Sequence, residues 1–248
     1  MKFGVSGTGL SGGKGPGGGG APLPGGGDTF FLTDGASWAW HQPSTFPNAV
    51  YDSATDKVWI SYEAWNGAIS VNKVNVYNRA TQTWDGPYPA VENPLASDDH
   101  GTPALCKDHE GYWHAFGGAH SLTAFKHNAT KSPNDPTKWQ PSATFPFNGS
   151  YPKPVMVGSS LYVFYRAGGE SAELRMVKTT ALSGGLATWG SEVVISTFGA
   201  GTSRWYAGDV HVVGTDIHII GAYADAPDTY RKNVYYLIYD TVTDQTKN

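Results

Sequence analysis

A fourfold repeat of strand-like segments is the feature of this sequence that most constrains its fold. Apolar segments rich in aromatic and β-branched residues recur at Val58–Tyr62, Tyr112–Phe116, Leu161–Tyr165 and Ile217–Ile220. Successive copies are separated by about 50 residues, a period typical of repeat architectures. A shorter strand precedes each copy and a third, alternating strand follows it, so every copy predicts one supersecondary unit.

The other strands of the unit repeat with the same spacing. The preceding strands are predicted at Pro47–Tyr51, Thr102–Lys107, Pro152–Val157 and Asp209–Val213, and the following ones at Ile69–Tyr77, Leu122–His127, Glu173–Lys178 and Val234–Tyr239. A Trp closes three of the units, at Trp84, Trp139 and Trp189, and alignment of the fourth unit places Thr246 at the equivalent position. Four short strands in about 50 residues are typical of a β-propeller blade.

The predicted fold is therefore all-β, a propeller with about four visible blades of four antiparallel strands. The blades are expected at about 35–92, 93–144, 145–198 and 199–248. A β-sandwich would also contain many short strands, but it would not be expected to repeat Trp at this interval, and no segment has sustained helical periodicity. Two arrangements stay open: a four-bladed ring closed by an N-terminal strand, and an incomplete larger propeller of seven blades.

The N-terminal residues 1–33 differ in composition from the rest of the chain. Residues 4–27 contain 13 of the 32 glycines. A segment of this composition has too little apolar surface to offset the conformational entropy lost on ordering. The segment is expected to be a flexible tether or a close-packed collar that needs neighbouring chains. The propeller is expected to start near Asp34 and to occupy 34–248.

Charge and cysteine content exclude several function classes. The net charge is −4 and Lys/Arg residues do not cluster, which argues against nucleic-acid and anionic-membrane binding. Cys106 is the only cysteine, so no disulfide framework or multi-Cys zinc site is expected, and no metal or cofactor is predicted. No secretory signal peptide is recognised, so we expect a cytoplasmic location or export by another route such as a virion.

The densest polar cluster lies at the start of the second unit, in Asp98-Asp99-His100-Gly101. Carboxylates beside a histidine can orient the imidazole and raise its basicity, as a general base requires, although a capped turn has the same composition. His120 follows the next strand and is expected on the same face as His100. His114 is expected to pack within its strand, and His109 to be exposed.

The third and fourth units hold different residues at the equivalent positions. Tyr151 precedes the first strand of the third unit, and Arg166 ends the second strand. Tyr can donate or accept a proton, and the Arg fork binds carboxylates, although Arg166 could instead pair with Glu170 or Glu173. In the fourth unit and near the N-terminus, the aromatic candidates for stacking on sugar rings are Trp205, Tyr206 and Trp40.

These motifs together resemble the BNR-repeat propellers that include the ulvan lyases. The resemblance rests on Trp38-Ala39-Trp40-His41, Asp98-Asp99-His100-Gly101-Thr102-Pro103, Gly118-Ala119-His120, Tyr151-Pro152-Lys153-Pro154 and Leu161-Tyr162-Val163-Phe164-Tyr165-Arg166, and it covers about residues 35–240. It implies a seven-bladed propeller and β-elimination at a uronic acid.

The resemblance also implies roles for individual residues. His100 and His120 would lie in the cleft, one of them as the base, and Tyr151 would transfer a proton. Arg166 would neutralise the uronate carboxylate, and Tyr206 would contact the substrate. Asp99, Trp205 and Trp40 complete the set of expected site residues.

Two hypotheses on function follow from the sequence. The first is a polysaccharide lyase that acts on a uronate-containing polysaccharide. The second is a non-catalytic module of a phage tail or virion that binds a cell-surface glycan and associates with other copies or virion proteins through the Gly-rich segment. A sialidase-type hydrolase is disfavoured, since it would need an arginine triad and a Tyr/Glu nucleophile pair.

Overall fold

The computed structural model consists of β-strands that form four antiparallel sheets in chain order. It describes residues 47–65, 70–92, 101–117, 120, 124–141, 145–167, 173–196, 203–225 and 232–247. Within those ranges, no helix has the length and the apolar character needed to cross a membrane.

The first two sheets are four-stranded meanders, here called blade 1 and blade 2. Blade 1 contains β1 (Ala49–Asp52), β2 (Lys57–Trp65), β3 (Ser70–Asn78) and β4 (Thr83–Val91). Blade 2 contains β5 (Ala104–Lys107), β6 (Trp113–Gly117), β7 (Lys126–Thr130) and β8 (Trp139–Pro141). In both blades, each strand pairs with the next along the chain, as hairpin connections allow.

Blades 3 and 4 repeat this order. Blade 3 contains β9 (Gly149–Val157), β10 (Ser160–Ala167), β11 (Leu174–Ser183) and β12 (Leu186–Trp189), and a fifth strand, β13 (Val193–Ser196), also pairs with β11. Blade 4 contains β14 (Ser203–Val213), β15 (Asp216–Asp225), β16 (Lys232–Asp240) and β17 (Gln245–Lys247). The all-β repeat predicted from the sequence is thus confirmed.

Each blade shares an apolar core with the next one. Trp59, Val74 and Trp113 join blades 1 and 2, Phe116, Val163 and Tyr165 join blades 2 and 3, and Phe164, Trp205 and Ile219 join blades 3 and 4. Strand residues alternate between two faces, so each central strand supplies residues to both of its neighbours. Successive meanders packed face to face give the β-propeller arrangement predicted from the repeat.

The strand register confirms the alignment of the repeats. Tyr77 on β3 pairs with Trp84 on β4, and Tyr239 on β16 pairs with Thr246 on β17. Thr246 therefore occupies the position that Trp84 fills in blade 1.

Some predicted strand boundaries were wrong. β7 begins at Lys126 rather than at Leu122, while β9 and β14 begin at Gly149 and Ser203, before the predicted Pro152 and Asp209. β9 and β14 extend further than predicted because bulges let their pairing continue past Pro152 and Gly208. The Gly-rich segment 1–33 and the boundary near Asp34 lie outside the described residues, and both stay predictions.

The core between blades 1 and 2 gives a direct stability test. Trp113 is fully buried and stacks on Trp59, with ring centroids 4.3 Å apart. Trp113→Ala is expected to lower the free energy of unfolding by about 3–5 kcal/mol, because it removes a large buried ring and leaves a cavity. Urea denaturation measures the change. Val242→Ala, at a position that is 74% exposed, should cost less than about 0.5 kcal/mol, and equal losses in both variants would contradict this assignment of the core.

Candidate functional site

Arg166 packs against two adjacent tyrosine rings near the end of β10. Its Cζ atom is 4.7 Å from the ring centroid of Tyr151 and 4.9 Å from that of Tyr206. Its Nη2 donates a hydrogen bond to Ser150 Oγ at 3.3 Å. Cation–π contacts of this kind contribute about 0.5–2 kcal/mol each and fix the plane of the guanidinium. We call the group Tyr151, Arg166 and Tyr206 the arginine cluster.

A β-bulge brings Tyr151 onto Arg166. In the β9–β10 pair, Lys153 lies opposite Phe164 and Ser150 lies opposite Arg166, so Tyr151 and Pro152 together face Tyr165 alone. Tyr151 has a φ of 62°, in the left-handed region that residues other than glycine rarely adopt. Such strained residues cluster at functional sites, where the surrounding structure holds them in place.

Blade 4 supplies the second ring of the arginine cluster. Tyr206 lies on β14, opposite Ala222 of β15, and is half-buried. Its ring centroid is 5.8 Å from that of Tyr151, at an interplanar angle of 41°. The site therefore spans β9 of blade 3 and β14 of blade 4, and it depends on the packing of these two blades.

Arg166 has no carboxylate within ion-pair distance among the residues that the structure describes. Glu173, one of the two partners considered for it, binds Arg175 at 2.7 Å instead, and Glu170 lies outside the described residues. A guanidinium that is only 6% exposed, and that is held by two rings and one hydroxyl, keeps donors available for an incoming anion. A planar carboxylate matches its fork.

Lys153 is a second buried basic residue next to the arginine cluster, and the sequence analysis gave it no role. It is 1% exposed, and its Nζ donates to the Gly208 carbonyl of β14 at 3.3 Å. Burial lowers the pKa of Lys153 to about 7, against the opposing attraction of Asp209. The sequence signal was a lysine inside an apolar strand, between Pro152 and Pro154.

Of the two predicted histidines, the structure describes only His120. It is half-buried in the connection between β6 and β7. β6 and β10 are the second strands of neighbouring blades, so this connection follows β6 at the end of the blade where Arg166 lies in β10. His100, Asp99 and Trp40 lie outside the described residues, and their roles stay predictions.

Trp205 lies in the apolar core rather than in the arginine cluster. It is 1% exposed and packs with Phe164, Ile217 and other residues between blades 3 and 4. Gly221 makes room for the indole, because a Cβ at that position would lie 2.7 Å from Cζ2 of Trp205. The stacking face that the sequence suggested for Trp205 is therefore closed to a sugar, while the adjacent Tyr206 points to the site.

Two other histidines form a buried network in blade 2. His114 Nδ1 lies 3.0 Å from His127 Nε2, and His114 Nε2 lies 3.1 Å from Asp108 Oδ2. Burial and the neighbouring His114 hold the pKa of His127 well below its usual value. His114 thus packs as predicted, and His109 is exposed, also as predicted. Within the described ranges, no group of three or more His, Cys, Asp or Glu side chains is arranged to hold a metal ion.

Comparison with known proteins identifies a family and several relatives of this chain. The profile described as "BNR repeat-containing family member" matches residues 49–248. Ulvan lyases from Alteromonas sp. (strain LOR) and Nonlabens ulvanivorans are both 28% identical, over 80% and 82% of this chain and 48% and 49% of their own length. The chain thus spans about half the length of the curated relatives that it matches.

Solved structures show the same fold. A polysaccharide lyase PL25 ulvan lyase superimposes with a TM-score of 0.70 at 22% identity, covering 82% of this chain and 53% of that structure. An α-L-arabinanase from Penicillium chrysogenum superimposes with a TM-score of 0.54 at 13% identity, covering 86% and 69%. Both likenesses concern the fold alone.

The pKa of Lys153 predicts a pH-dependent effect on stability. In the unfolded chain a lysine titrates near 10.4, so between about pH 7 and pH 10 the unfolded state binds more protons and the buried charge costs less as the pH rises. Relative to the wild type, Lys153→Met should therefore be most stabilised at or below pH 7. This advantage should shrink by up to about 1.4 kcal/mol per pH unit towards pH 10.

Denaturation of both proteins at several pH values measures this difference. Lys178→Met is the matched control, because Asp244 binds Lys178 and raises its pKa. Its difference from the wild type should stay constant between pH 7 and 9. A pH-independent difference for Lys153→Met would show that Lys153 keeps an ordinary pKa.

Proposed function

Because the chain belongs to the BNR repeat-containing family, we propose that it is a polysaccharide lyase that cleaves a uronate-containing polysaccharide by β-elimination. The single observation that carries this proposal is the arginine cluster. A buried, oriented guanidinium with no carboxylate partner among the described residues suits the carboxylate of a uronic acid. The ulvan lyases among its relatives support the same class of substrate.

In the proposed reaction, Arg166 makes the C5 proton of the uronate removable. That proton is weakly acidic because its loss places a second negative charge beside the carboxylate. A fixed cation at the carboxylate offsets this charge as it develops and needs no reorganisation during the reaction. The two tyrosine rings serve by holding the guanidinium in one plane.

Tyr151 and a histidine divide the proton transfers. A base removes the C5 proton, the electron pair forms the C4–C5 double bond, and the C4–O4 bond breaks. The leaving oxygen takes up a proton and departs as the hydroxyl of the shortened chain. Tyr151, whose ring contacts Arg166, transfers a proton at the sugar that Arg166 binds. His120 or His100 serves as the other group.

Tyr206 and the remaining predicted residues bind the substrate in this proposal. Tyr206 is half-buried, so part of its ring is open to a sugar while it covers Arg166. Trp40 and Asp99 are proposed on sequence grounds as further contacts.

Product formation tests the proposal. The wild type incubated with ulvan should release products with the ultraviolet absorbance of a C4–C5 unsaturated uronate. Arg166→Ala and Tyr151→Phe should each lower kcat/KM by about 10²–10⁴-fold, since each removes charge stabilisation or proton transfer. Arg79→Ala is the matched control, because this arginine is exposed on blade 1 and binds Asp56. It should retain wild-type activity.

The same assay separates catalysis from simple binding. A glycan-binding module, the second hypothesis from the sequence, would bind the polymer and release no unsaturated product. Absence of product from ulvan, pectate and alginate, with the fold intact by circular dichroism, would refute the lyase proposal. Wild-type activity in Arg166→Ala would leave a lyase but remove Arg166 from its mechanism.

A further inference from the structure

We propose that Lys153 is a positioning residue that closes the arginine cluster by tying blade 3 to blade 4. Its importance for activity rests on the proposed function, but the tie itself can be measured without activity. Lys153 touches neither reacting atom in this proposal. It acts by holding the two tyrosine rings, which come from different blades, against Arg166 and against each other.

The hydrogen bond between Lys153 and Gly208 lies two residues from the tyrosine rings on both strands. Lys153 follows Tyr151 by two residues on β9, and Gly208 follows Tyr206 by two residues on β14. The hydrogen bond from Lys153 Nζ to the Gly208 carbonyl therefore joins the same two strands that carry the rings. A change in the separation of these strands changes the distance between the rings directly.

A bulge in β14 makes the Gly208 carbonyl available. Ala207 pairs with Gly221 and Asp209 pairs with Ile220, so Gly208 has no paired residue on β15. A carbonyl that has left the ladder needs another donor. β9 and β14 thus each carry a bulge at the level of the site, and Lys153 bridges the two irregular segments.

The burial of Lys153 marks it as more than a packing residue. Phe164 lies opposite it, and Phe164 belongs to the apolar core between blades 3 and 4. Methionine would fill such a place without the cost of removing an ammonium from water. Basic residues whose pKa is strongly perturbed are found preferentially at functional sites.

The charged and titratable groups around Lys153 come from three neighbouring strands and its own. Arg166 lies on β10, Tyr206 and Asp209 on β14, and Tyr151 on β9. β5 carries Cys106, whose pKa burial raises to about 12, and Lys107, which is bound to Asp52 at 2.8 Å. Asp209 is the group among them that favours the ammonium form of Lys153.

The tie is favoured when Lys153 is neutral. Burial lowers the pKa of Lys153 to about 7, whereas an exposed lysine titrates near 10.4. Protonation therefore favours an arrangement in which Lys153 is exposed to water, and loss of the proton favours the buried one. The arginine cluster should close as the pH rises through 7 and loosen below it.

Nuclear magnetic resonance of the arginine side chains tests the tie without substrate. The two rings should shift the Arg166 δ-methylene protons upfield, and Arg166→Lys assigns the signal. Tyr206→Leu gives the shift that remains without the second ring. Lys153→Met should lose at least about half of the difference between the wild type and Tyr206→Leu. A wild-type shift in Lys153→Met would overturn the proposal, and Lys178→Met should keep the wild-type shift.

A titration of the wild type gives a second test that needs no variant. The upfield shift of Arg166 should increase between about pH 6 and pH 9, with a midpoint near 7. In Lys153→Met the same signal should not move over this range. A flat titration in the wild type would overturn the proposal even if every variant failed to fold.

Activity measurements add a test that keeps the two proposals apart. If the wild type releases unsaturated product, Lys153→Met should lower kcat/KM by about 10–100-fold, as expected for a displaced positioning group. Wild-type kcat/KM in Lys153→Met would overturn its role in activity. If the wild type has no lyase activity, the proposed function fails, and the spectra still decide whether Lys153 closes the arginine cluster.

Discussion

Each blade of this protein can bury its apolar surface only by packing against the next blade. The three apolar cores lie between successive sheets, and each contains large side chains from both of them. Phe164 belongs to the core between blades 3 and 4, while Lys153 lies opposite it and Arg166 follows it by two residues on the same face. The packing that holds the blades together thus also sets the distance between the two halves of the candidate site.

The site depends on local departures from regular strand geometry. In a regular strand, Tyr151 and Ser150 would point to opposite faces of the sheet. The bulge at Tyr151 and Pro152 changes this, so the Ser150 hydroxyl and the Tyr151 ring both contact Arg166. A bulge at Gly208 likewise frees the carbonyl that Lys153 binds. Bulges are features by which a sheet directs a side chain towards a site.

Much of this arrangement could be predicted from the sequence, because repeats place equivalent residues at equivalent positions. Tyr151 and Arg166 were identified by comparing the third unit with the second, and Thr246 by aligning the fourth unit with the first. The contact of Tyr151 with Tyr206 could not be predicted in this way, since it depends on how two blades pack. The prediction for Trp205 had a related weakness: neighbouring strand residues face opposite sides, and the sequence does not indicate which of Trp205 and Tyr206 enters the core.

Lys153 was missed because its environment arises from the fold rather than from a motif. The segment Tyr151-Pro152-Lys153-Pro154 was recognised, but a lysine in an edge strand is ordinarily exposed, and the packing of neighbouring blades on β9 buries this one.

The burial of Lys153 carries a free-energy cost that depends on its proton. Asp209 offsets only part of the cost of removing the ammonium from water, so the pKa of Lys153 falls to about 7. Arg166 stays charged at any physiological pH, whereas Lys153 can give up its proton. The packing of blade 3 on blade 4 is therefore coupled to the proton on Lys153, and loss of that proton favours the packed arrangement.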